Sequence, residues 1–237
     1  MPCVATPFRL GRLLGDVPAP WGPWRENAIY ASSAPLRSGE PAPDLAARVR
    51  AVPGVRDVRT APNGLLLITV TTPGEIVQEI LETAGHPVPP ADTPADTPAD
   101  NATPRWPDLP RTWDNPGFVL RYAHARAASV QRWAQDLGHP PTAPFDPALL
   151  TAPPDRAVLR ALAEWPSRTR RPSRDPAPYL RRLATAYHDA HEHAPALPYG
   201  DAPFTPLHTA RLRLAEAVRV VLATALTALG ESPPARI

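Results

Sequence analysis

Proline divides this chain into two units joined by a stretch that cannot form a core. The sequence holds 36 prolines in 237 residues, which is about three times the usual share of roughly 5%. Residues 87–110 combine several of them with a repeated Ala-Asp-Thr-Pro tetrad. A segment with recurring Pro and Asp and few apolar side chains has too little to bury. We therefore predict a flexible linker over 87–110, between an N-terminal unit of residues 1–86 and a C-terminal unit of residues 111–237.

The N-terminal unit has the pattern of a small α+β domain. Residues 41–52 and 73–84 repeat apolar side chains every three or four positions, which predicts a helix in each. Between them, Asn63-Gly64 separates two apolar runs, a pattern typical of a β-hairpin. The expected order is α, β, β, α. Residues 1–25 are expected to be loop, with one short helix around Phe8–Leu14.

The C-terminal unit has helical periodicity throughout. It predicts helices over 115–137, 147–165, 176–193 and 207–229, with Gly138 and Gly230 after the first and the last. The fold class is therefore α+β, in which a small N-terminal α+β domain is joined by a Pro/Asp-rich linker to an all-α helical bundle. The apolar stripe expected on the first of these helices is Phe118, Tyr122, Ala125, Ser129, Trp133 and Leu137.

The charged residues restrict the possible chemistry. All 25 basic residues are arginine, so Schiff-base formation and other lysine chemistry are excluded. Residues 1–110 carry 9 Arg against 12 Asp and Glu, a net −3, and residues 111–237 carry 16 against 11, a net +5. A basic C-terminal half favours a polyanionic partner.

Several classes of protein are disfavoured by what the sequence lacks. Cys3 is the only cysteine, which excludes an intrachain disulfide and a zinc site built on several thiolates. We find no secretory signal and no apolar run of the ~20 residues that a membrane span needs. The ligands of a metal ion on one helix have to share a face of that helix. His188 and His191 share a face but His193 does not, so we expect no metal site. We also expect no cofactor. The expected location is cytoplasmic.

Three segments of the C-terminal unit carry the most specific sequence signal. They are Asn115–Arg126, Tyr179–His188 and the closing stretch from Ala210 to Ile237. In this order they resemble the C-terminal, DALR-type anticodon-binding domain of arginyl-tRNA synthetases. The resemblance spans residues 111–237 and implies a helical bundle that binds tRNA.

The N-terminal unit resembles a degenerate form of the same family's N-terminal additional domain. Tyr30–Ala34 stands where that family has a Gly-Asp-Tyr-Ala-Ser/Thr-Asn-Val-Ala motif. The family's Gly-Asp is Ala28-Ile29 here, its motif asparagine is Ser33, and its hairpin asparagine is Leu67. These polar positions help that domain to touch the tRNA elbow, so the resemblance does not carry elbow recognition over to this chain.

The catalytic domain that lies between these two pieces in the family has no counterpart here. A Rossmann unit needs on the order of 100–200 residues, and the predicted linker is far shorter. The sequence has no His-x-Gly-His, no Gly-x-Gly-x-x-Gly and, without lysine, no Lys-Met-Ser-Lys-Ser. We therefore predict that the chain is not an enzyme.

The first helix carries four candidate tRNA-binding residues. Tyr122 is a candidate platform for stacking an anticodon base, with a core aromatic as the alternative. Arg126 and Arg132 are candidates for phosphate contacts, or else ordinary ion-pair partners. His124 lies two residues before Arg126 and so on another face, and it either meets RNA or hydrogen-bonds within the bundle.

Four further candidates come from the later helices and the chain end. Tyr187 and His191 lie one turn apart where the family has aromatics that contact the anticodon loop, and His191 replaces a larger aromatic. Arg211 begins the last helix and is a candidate phosphate ligand. Ile237 stands where the family ends in a methionine that packs near the anticodon, and it keeps apolar bulk and the terminal carboxylate.

Two hypotheses of function follow. In the first, the chain binds the anticodon region of a tRNA, with arginine tRNA as the first candidate, without aminoacylating it. It would then act in trans for a synthetase or a biosynthetic enzyme. In the second, the bundle has kept its fold, has lost tRNA binding, and serves as a protein-interaction or scaffold module.

Overall fold

The computed structural model describes residues 5–83, 106–140, 143–170 and 175–237. Most of the predicted linker, and with it the test of its flexibility, lies outside the described residues. In chain order the N-terminal elements are α1 (Pro7–Leu14), β1 (Ala19–Trp21), β2 (Ala28–Ser32), α2 (Ala34–Ser38), α3 (Ala42–Arg50), β3 (Val55–Thr60), β4 (Leu66–Val70) and α4 (Glu75–Thr83). The C-terminal elements are α5 (Pro116–Asp136), a 3-10 turn (Pro147–Leu149), α6 (Pro153–Leu162), α7 (Trp165–Arg170), α8 (Ala177–His193) and α9 (Pro206–Ala228).

The α+β class and the predicted hairpin are confirmed, but the sheet is larger than expected. Its four antiparallel strands have the order β1-β2-β4-β3. The strands β1 and β2 were not predicted, and the expectation of loop over 1–25 is wrong at β1. β1 has three residues with a proline among them, which only an edge strand tolerates. β2 buries Ala28, Tyr30 and Ser32 on one face. Because this buried set includes polar side chains, the sequence does not show the apolar–polar alternation by which a strand is predicted.

Three of the predicted helices of the C-terminal unit are confirmed as α5, α8 and α9. The stretch predicted over 147–165, which the prolines at 153 and 154 were expected to interrupt, divides into the 3-10 turn and α6, and its end belongs to the short helix α7. α5 begins at Asn115, whose side-chain oxygen accepts a hydrogen bond from the Gly117 amide at 3.0 Å. α9 begins at Thr205 with a capping box in which His208 returns the bond. α9 lies at the centre of the bundle and contacts α5, α6 and α8. None of the helices in the described ranges is both long and apolar enough to cross a membrane.

The two units pack directly against each other. α4 of the N-terminal unit lies against α9, α6 and the 3-10 turn, and one hydrophobic cluster runs through both units. Gly74 permits this approach, because a Cβ there would collide with the Pro147 carbonyl group. On another side, Arg156 donates to the Glu26 carbonyl at 3.1 Å and Arg160 to the Gly22 carbonyl at 2.8 Å.

Replacing Gly74 by alanine should loosen the packing of the N-terminal unit on the bundle. Overpacking at the Pro147 carbonyl should lower the free energy of unfolding, measured by urea denaturation, by about 2 kcal/mol. Hydrogen–deuterium exchange should become faster in α4. Gly39→Ala is the control, because Gly39 has φ 72° and nothing within 4 Å of its Cβ, so it suffers backbone strain alone. Unchanged exchange in α4 of the Gly74 variant would contradict this role.

Candidate nucleic-acid interface

The aromatic stripe of α5 faces outward rather than into the core. Trp133 is 50% exposed and Leu137 61% exposed, while Phe118 and Tyr122 are half-buried. Of the residues in the expected stripe, Ala125 is buried and Phe118 packs against the core, whereas Trp133 and Leu137 do not form part of it. The buried side consists mainly of smaller side chains, which let α8 and α9 approach closely: Val119, Leu120, Ala123, Ala127, Val130 and Ala134.

The segment before α5 is held in place by the first residues of that helix. The Asn115 amide donates to the carbonyls of Pro107 at 2.8 Å and Pro110 at 2.9 Å. Gly117 allows the segment to lie against the helix, since a Cβ there would come within 2.6 Å of the Pro107 oxygen. Arg121 donates to the Trp106 carbonyl at 2.9 Å. These bonds fix the segment that carries Trp113 at the surface.

An aromatic cluster joins this segment to α5 and α8. We call it the α5–α8 cluster, and its members are Trp113, Phe118, Tyr122, Arg126 and His188. The Tyr122 ring stacks on Phe118, with centroids 5.4 Å apart, and the Arg126 guanidinium lies 4.4 Å from the same ring centre. Because these three residues follow one another at intervals of one helical turn, Tyr122 lies between Phe118 and Arg126.

Arg126 is held by two residues of α8. Its Nη1 lies 3.2 Å from a Glu192 oxygen and 3.3 Å from His188 Nδ1. His188 Nε2 donates to the Val119 carbonyl at 3.1 Å, so Nδ1 is the bare nitrogen and accepts from Arg126. Burial first, and the nearby Arg126 charge second, lower the pKa of His188 to about 4. The guanidinium is thus fixed over Tyr122, and His188 is neutral at pH 7.

His191 stands at the border of the same surface. Its ring centre lies 6.1 Å from that of Tyr187, and burial together with the Arg126 charge lowers its pKa. It is therefore neutral at pH 7 and suited to hydrogen bonding or ring contact rather than to phosphate attraction. Among the described residues, no group of three His, Cys, Asp or Glu side chains is placed to hold a metal ion.

The last residues of the chain return along α5. We call residues 230–237 the C-terminal strap. Arg121 pairs with Glu231 at 2.6 Å in a largely buried contact, His124 Nδ1 donates to the Pro234 carbonyl at 2.8 Å, and Arg132 donates to the Ala235 carbonyl at 3.0 Å. The strap thus follows α5 from its second turn towards its C-terminal end, and its final residue, Ile237, remains 46% exposed.

Three of the predicted tRNA-binding residues are engaged within the protein: His124 and Tyr187 are buried, and Arg211 is largely covered. His124 is 3% exposed, its pKa is lowered by burial, and its Nε2 meets no hydrogen-bond partner within the described ranges. Tyr187 is 4% exposed, and burial raises its pKa. Arg211 pairs with the buried carboxylate of Asp155 at 3.2 Å and donates to the Pro195 carbonyl. Their surroundings assign these three residues to holding the strap and the core.

The remaining candidates lie on α5, α8 and the strap. They are Tyr122, Arg126, Arg132, His191 and Ile237. Two residues that organise this surface, Trp113 and His188, were not predicted to bind tRNA. His188 lies within one of the resembling segments, whereas Trp113 lies before the helix and outside any periodic pattern.

A separate groove of the described surface lies away from the α5–α8 cluster. It has a volume of about 630 Å³ and runs between the sheet and α7. On its bundle side Glu164 binds three guanidinium groups, those of Arg160, Arg168 and Arg182. The charged groups of this wall are thus engaged with one another.

Comparisons with known proteins agree on the C-terminal half. Residues 120–237 match the DALR anticodon binding domain. Similar proteins include arginine–tRNA ligases of Frankia alni (44% identical over 134 residues), Clavibacter sepedonicus (41% over 133) and Kineococcus radiotolerans (39% over 132). Each alignment covers 54% of this chain and 24% of the relative. The chain thus aligns with about a quarter of the length of these curated relatives, and their catalytic domain is not matched.

Breaking the ion pair of Glu231 should release the strap. Glu231→Gln removes the charge that holds Arg121, and a charge-assisted hydrogen bond contributes about 1.5–3 kcal/mol. We expect carboxypeptidase to remove Ile237 at least about tenfold faster. Glu40→Gln is the control, because Glu40 pairs with Arg48 within the N-terminal unit and not with the strap. Equal digestion rates in the two variants would show that Arg121 does not hold the strap.

The neutral His188 should make stability depend on pH. Its folded pKa of about 4 lies below the ordinary value of 6.5, so its contribution is complete above pH 6.5 and is lost as the pH falls towards 4. For His188 alone we expect a loss of about 2 kcal/mol in unfolding free energy between pH 7 and pH 5. Urea denaturation at both pH values should show a smaller loss for His188→Gln. The same loss in both proteins would refute the assignment.

Proposed function

Because the C-terminal half of this chain belongs with the DALR anticodon-binding domains and is related to arginyl-tRNA synthetases, we propose that the protein binds the anticodon region of a tRNA without aminoacylating it. The observation that carries the proposal is the return of the strap along α5. It brings the chain end to the helix that carries Tyr122, Arg126 and Arg132. An unpaired loop would meet aromatic, guanidinium and carboxylate groups on one surface.

Arg126 and Arg132 are the proposed phosphate ligands. Arg132 uses part of its guanidinium on the Ala235 carbonyl and the Ser129 hydroxyl, and Arg126 shares its charge with Glu192. Five guanidinium N–H groups allow one side chain to serve a protein acceptor and a phosphate together. Since both are partly engaged, few counterions would be released, and the salt dependence of binding is expected to be shallow.

Tyr122, His191 and Ile237 are the proposed contacts to the loop itself. Tyr122 keeps its hydroxyl edge for a hydrogen bond, because Phe118 and Arg126 cover its ring. Neutral His191 can donate or accept a hydrogen bond at a base edge. Ile237 offers apolar surface. Tyr187, His124 and Arg211 are left out of this contact set, because each is committed to the interior.

The absence of aminoacylation is part of the proposal. What supports it is that the similarity to the ligases covers their anticodon-binding part, and that the sequence lacks the lysines and glycine motifs of ATP activation. We propose arginine tRNA as the first ligand to try, and action in trans for a synthetase or a biosynthetic enzyme as the setting.

The proposal is tested by measuring the binding of total tRNA to the purified chain in a filter-binding assay at increasing salt. We expect binding at low salt, weakened by the double substitution Arg126→Gln and Arg132→Gln, with the slope of log affinity against log salt reduced by less than about two, because both arginines are already partly engaged. Arg48→Gln is the matched control, since Arg48 is an exposed, ion-paired arginine of the N-terminal unit. Absence of micromolar binding by the wild type at low salt would rule the function out.

The alternative is a protein-interaction module that has lost tRNA binding. It is favoured by large apolar side chains that remain exposed away from the α5–α8 cluster, such as Leu36 at 61% and Tyr199 at 78%. A pull-down from the host, with and without nuclease, separates the two readings. The alternative is favoured if a partner protein is recovered in stoichiometric amount after nuclease treatment and the pure chain binds no tRNA.

A further inference from the structure

The residue that the sequence marks as a stacking platform has no free ring face. Tyr122 is stacked by Phe118 at an interplanar angle of 18° and is covered by the Arg126 guanidinium on the next turn. A base could stack there only by displacing Arg126, which His188 and Glu192 also hold. Any base stacked at this surface therefore needs another aromatic ring.

Trp113 is the member of the α5–α8 cluster with an accessible ring. It is 54% exposed, although three rings of the cluster contact it. Its centroid lies 4.9 Å from that of His188 at 87°, 6.3 Å from Phe118 at 70° and 6.0 Å from Tyr122 at 53°. These contacts hold the indole ring, and the 54% exposure of the residue leaves part of it open to a base.

The indole ring is also held before any ligand arrives. The backbone of Trp113 lies between two anchor points, the carbonyl of Pro110 that Asn115 binds at 2.9 Å and the start of α5, while the three ring contacts hold the side chain. The Thr112 amide donates to the same Pro110 carbonyl at 2.9 Å. A side chain that is ordered in advance loses little conformational entropy on binding, so more of the stacking energy appears as affinity.

The surroundings favour RNA over a peptide as the source of the stacked group. Arg126 lies over the neighbouring Tyr122, and Arg111 stands two residues before Trp113, half-exposed and paired with Asp108. An exposed aromatic ring on a surface that also carries guanidinium groups suits a base together with its phosphates. An aromatic or proline side chain of a peptide would use the ring but not the two cations.

We infer that Trp113 is a base-binding residue of this protein, on which one unpaired nucleobase of the bound RNA loop stacks, next to the Tyr122–Arg126 pair. The inference rests on the proposed function and assigns to Trp113 the stacking role that Tyr122 cannot fill. It also predicts that the stacked nucleotide is recognised by its ring surface and not by a base-specific hydrogen bond, because the exposed indole face carries no donor or acceptor.

The test uses the full chain and an anticodon stem–loop RNA of the tRNA that binds best. Affinity is measured for the wild type, Trp113→Ala, Trp113→Tyr and Trp21→Ala, with each loop nucleotide replaced in turn by an abasic one. Trp21 is the matched control, a 46% exposed tryptophan on β1 of the N-terminal unit. Circular-dichroism melting verifies the fold of each variant.

We expect Trp113→Ala to bind the intact stem–loop roughly 5- to 150-fold more weakly, the equivalent of about 1–3 kcal/mol for one stacked base. Trp113→Tyr should recover most of this loss, and Trp21→Ala should bind as the wild type does. At one loop position, the abasic replacement should lower the RNA affinity of the wild type but not that of Trp113→Ala. At the other positions, it should change the affinity of both proteins by the same factor. That single position identifies the stacked nucleotide.

The possible failures are distinguishable. Wild-type binding of the RNA with unchanged affinity of Trp113→Ala overturns the role of Trp113 and leaves the proposed function standing. If Trp113→Ala binds every abasic RNA more weakly than the wild type does, and by the same factor at each position, the role of Trp113 is also overturned. Such a uniform loss of affinity reports only a structural contribution. If the wild type binds no RNA at all, both the inference and the proposed function fall.

Discussion

The structure depends on the burial of α9. This helix packs against α5, α6 and α8 of its own bundle and against α4 of the N-terminal unit, and eleven of its 23 residues are buried. A helix with apolar residues on most of its circumference has to be enclosed on several sides, and three bundle helices leave one side for α4. The two units therefore share a continuous core in spite of the proline-rich segment between them in sequence.

Close packing on α9 also creates the candidate interface. Ala123, Ala127 and Ala134 of α5 face the bundle interior and are fully buried, so the helices come near each other and the large aromatics of α5 are left at the edge. There they stack on one another and on Arg126. The strap then covers part of α5 through Arg121, His124 and Arg132. The packing of the core thus decides which rings are covered and which stay open.

Arginine serves this protein as much for binding its own backbone as for charge. Arg121, Arg156 and Arg160 each donate to a backbone carbonyl, and Arg211 is consumed by the buried Asp155. A flat guanidinium with five donors can hold several acceptors at once, which an ammonium group does less well. The net +5 of residues 111–237 therefore overstates the charge available to an RNA partner, because the sequence does not reveal which arginines are already engaged.

The sequence by itself determined the elements whose signals are local. The hairpin at Asn63-Gly64 and the helices α5, α8 and α9 follow from periodicity and turn chemistry, and the resembling segments pointed to the anticodon-binding fold. Only the tertiary structure decided which face of α5 is buried, that His124 and Tyr187 lie inside, and that Trp113 lies open beside Tyr122. Periodicity gives the angle between side chains around a helix, but the neighbouring helices choose the face that is enclosed.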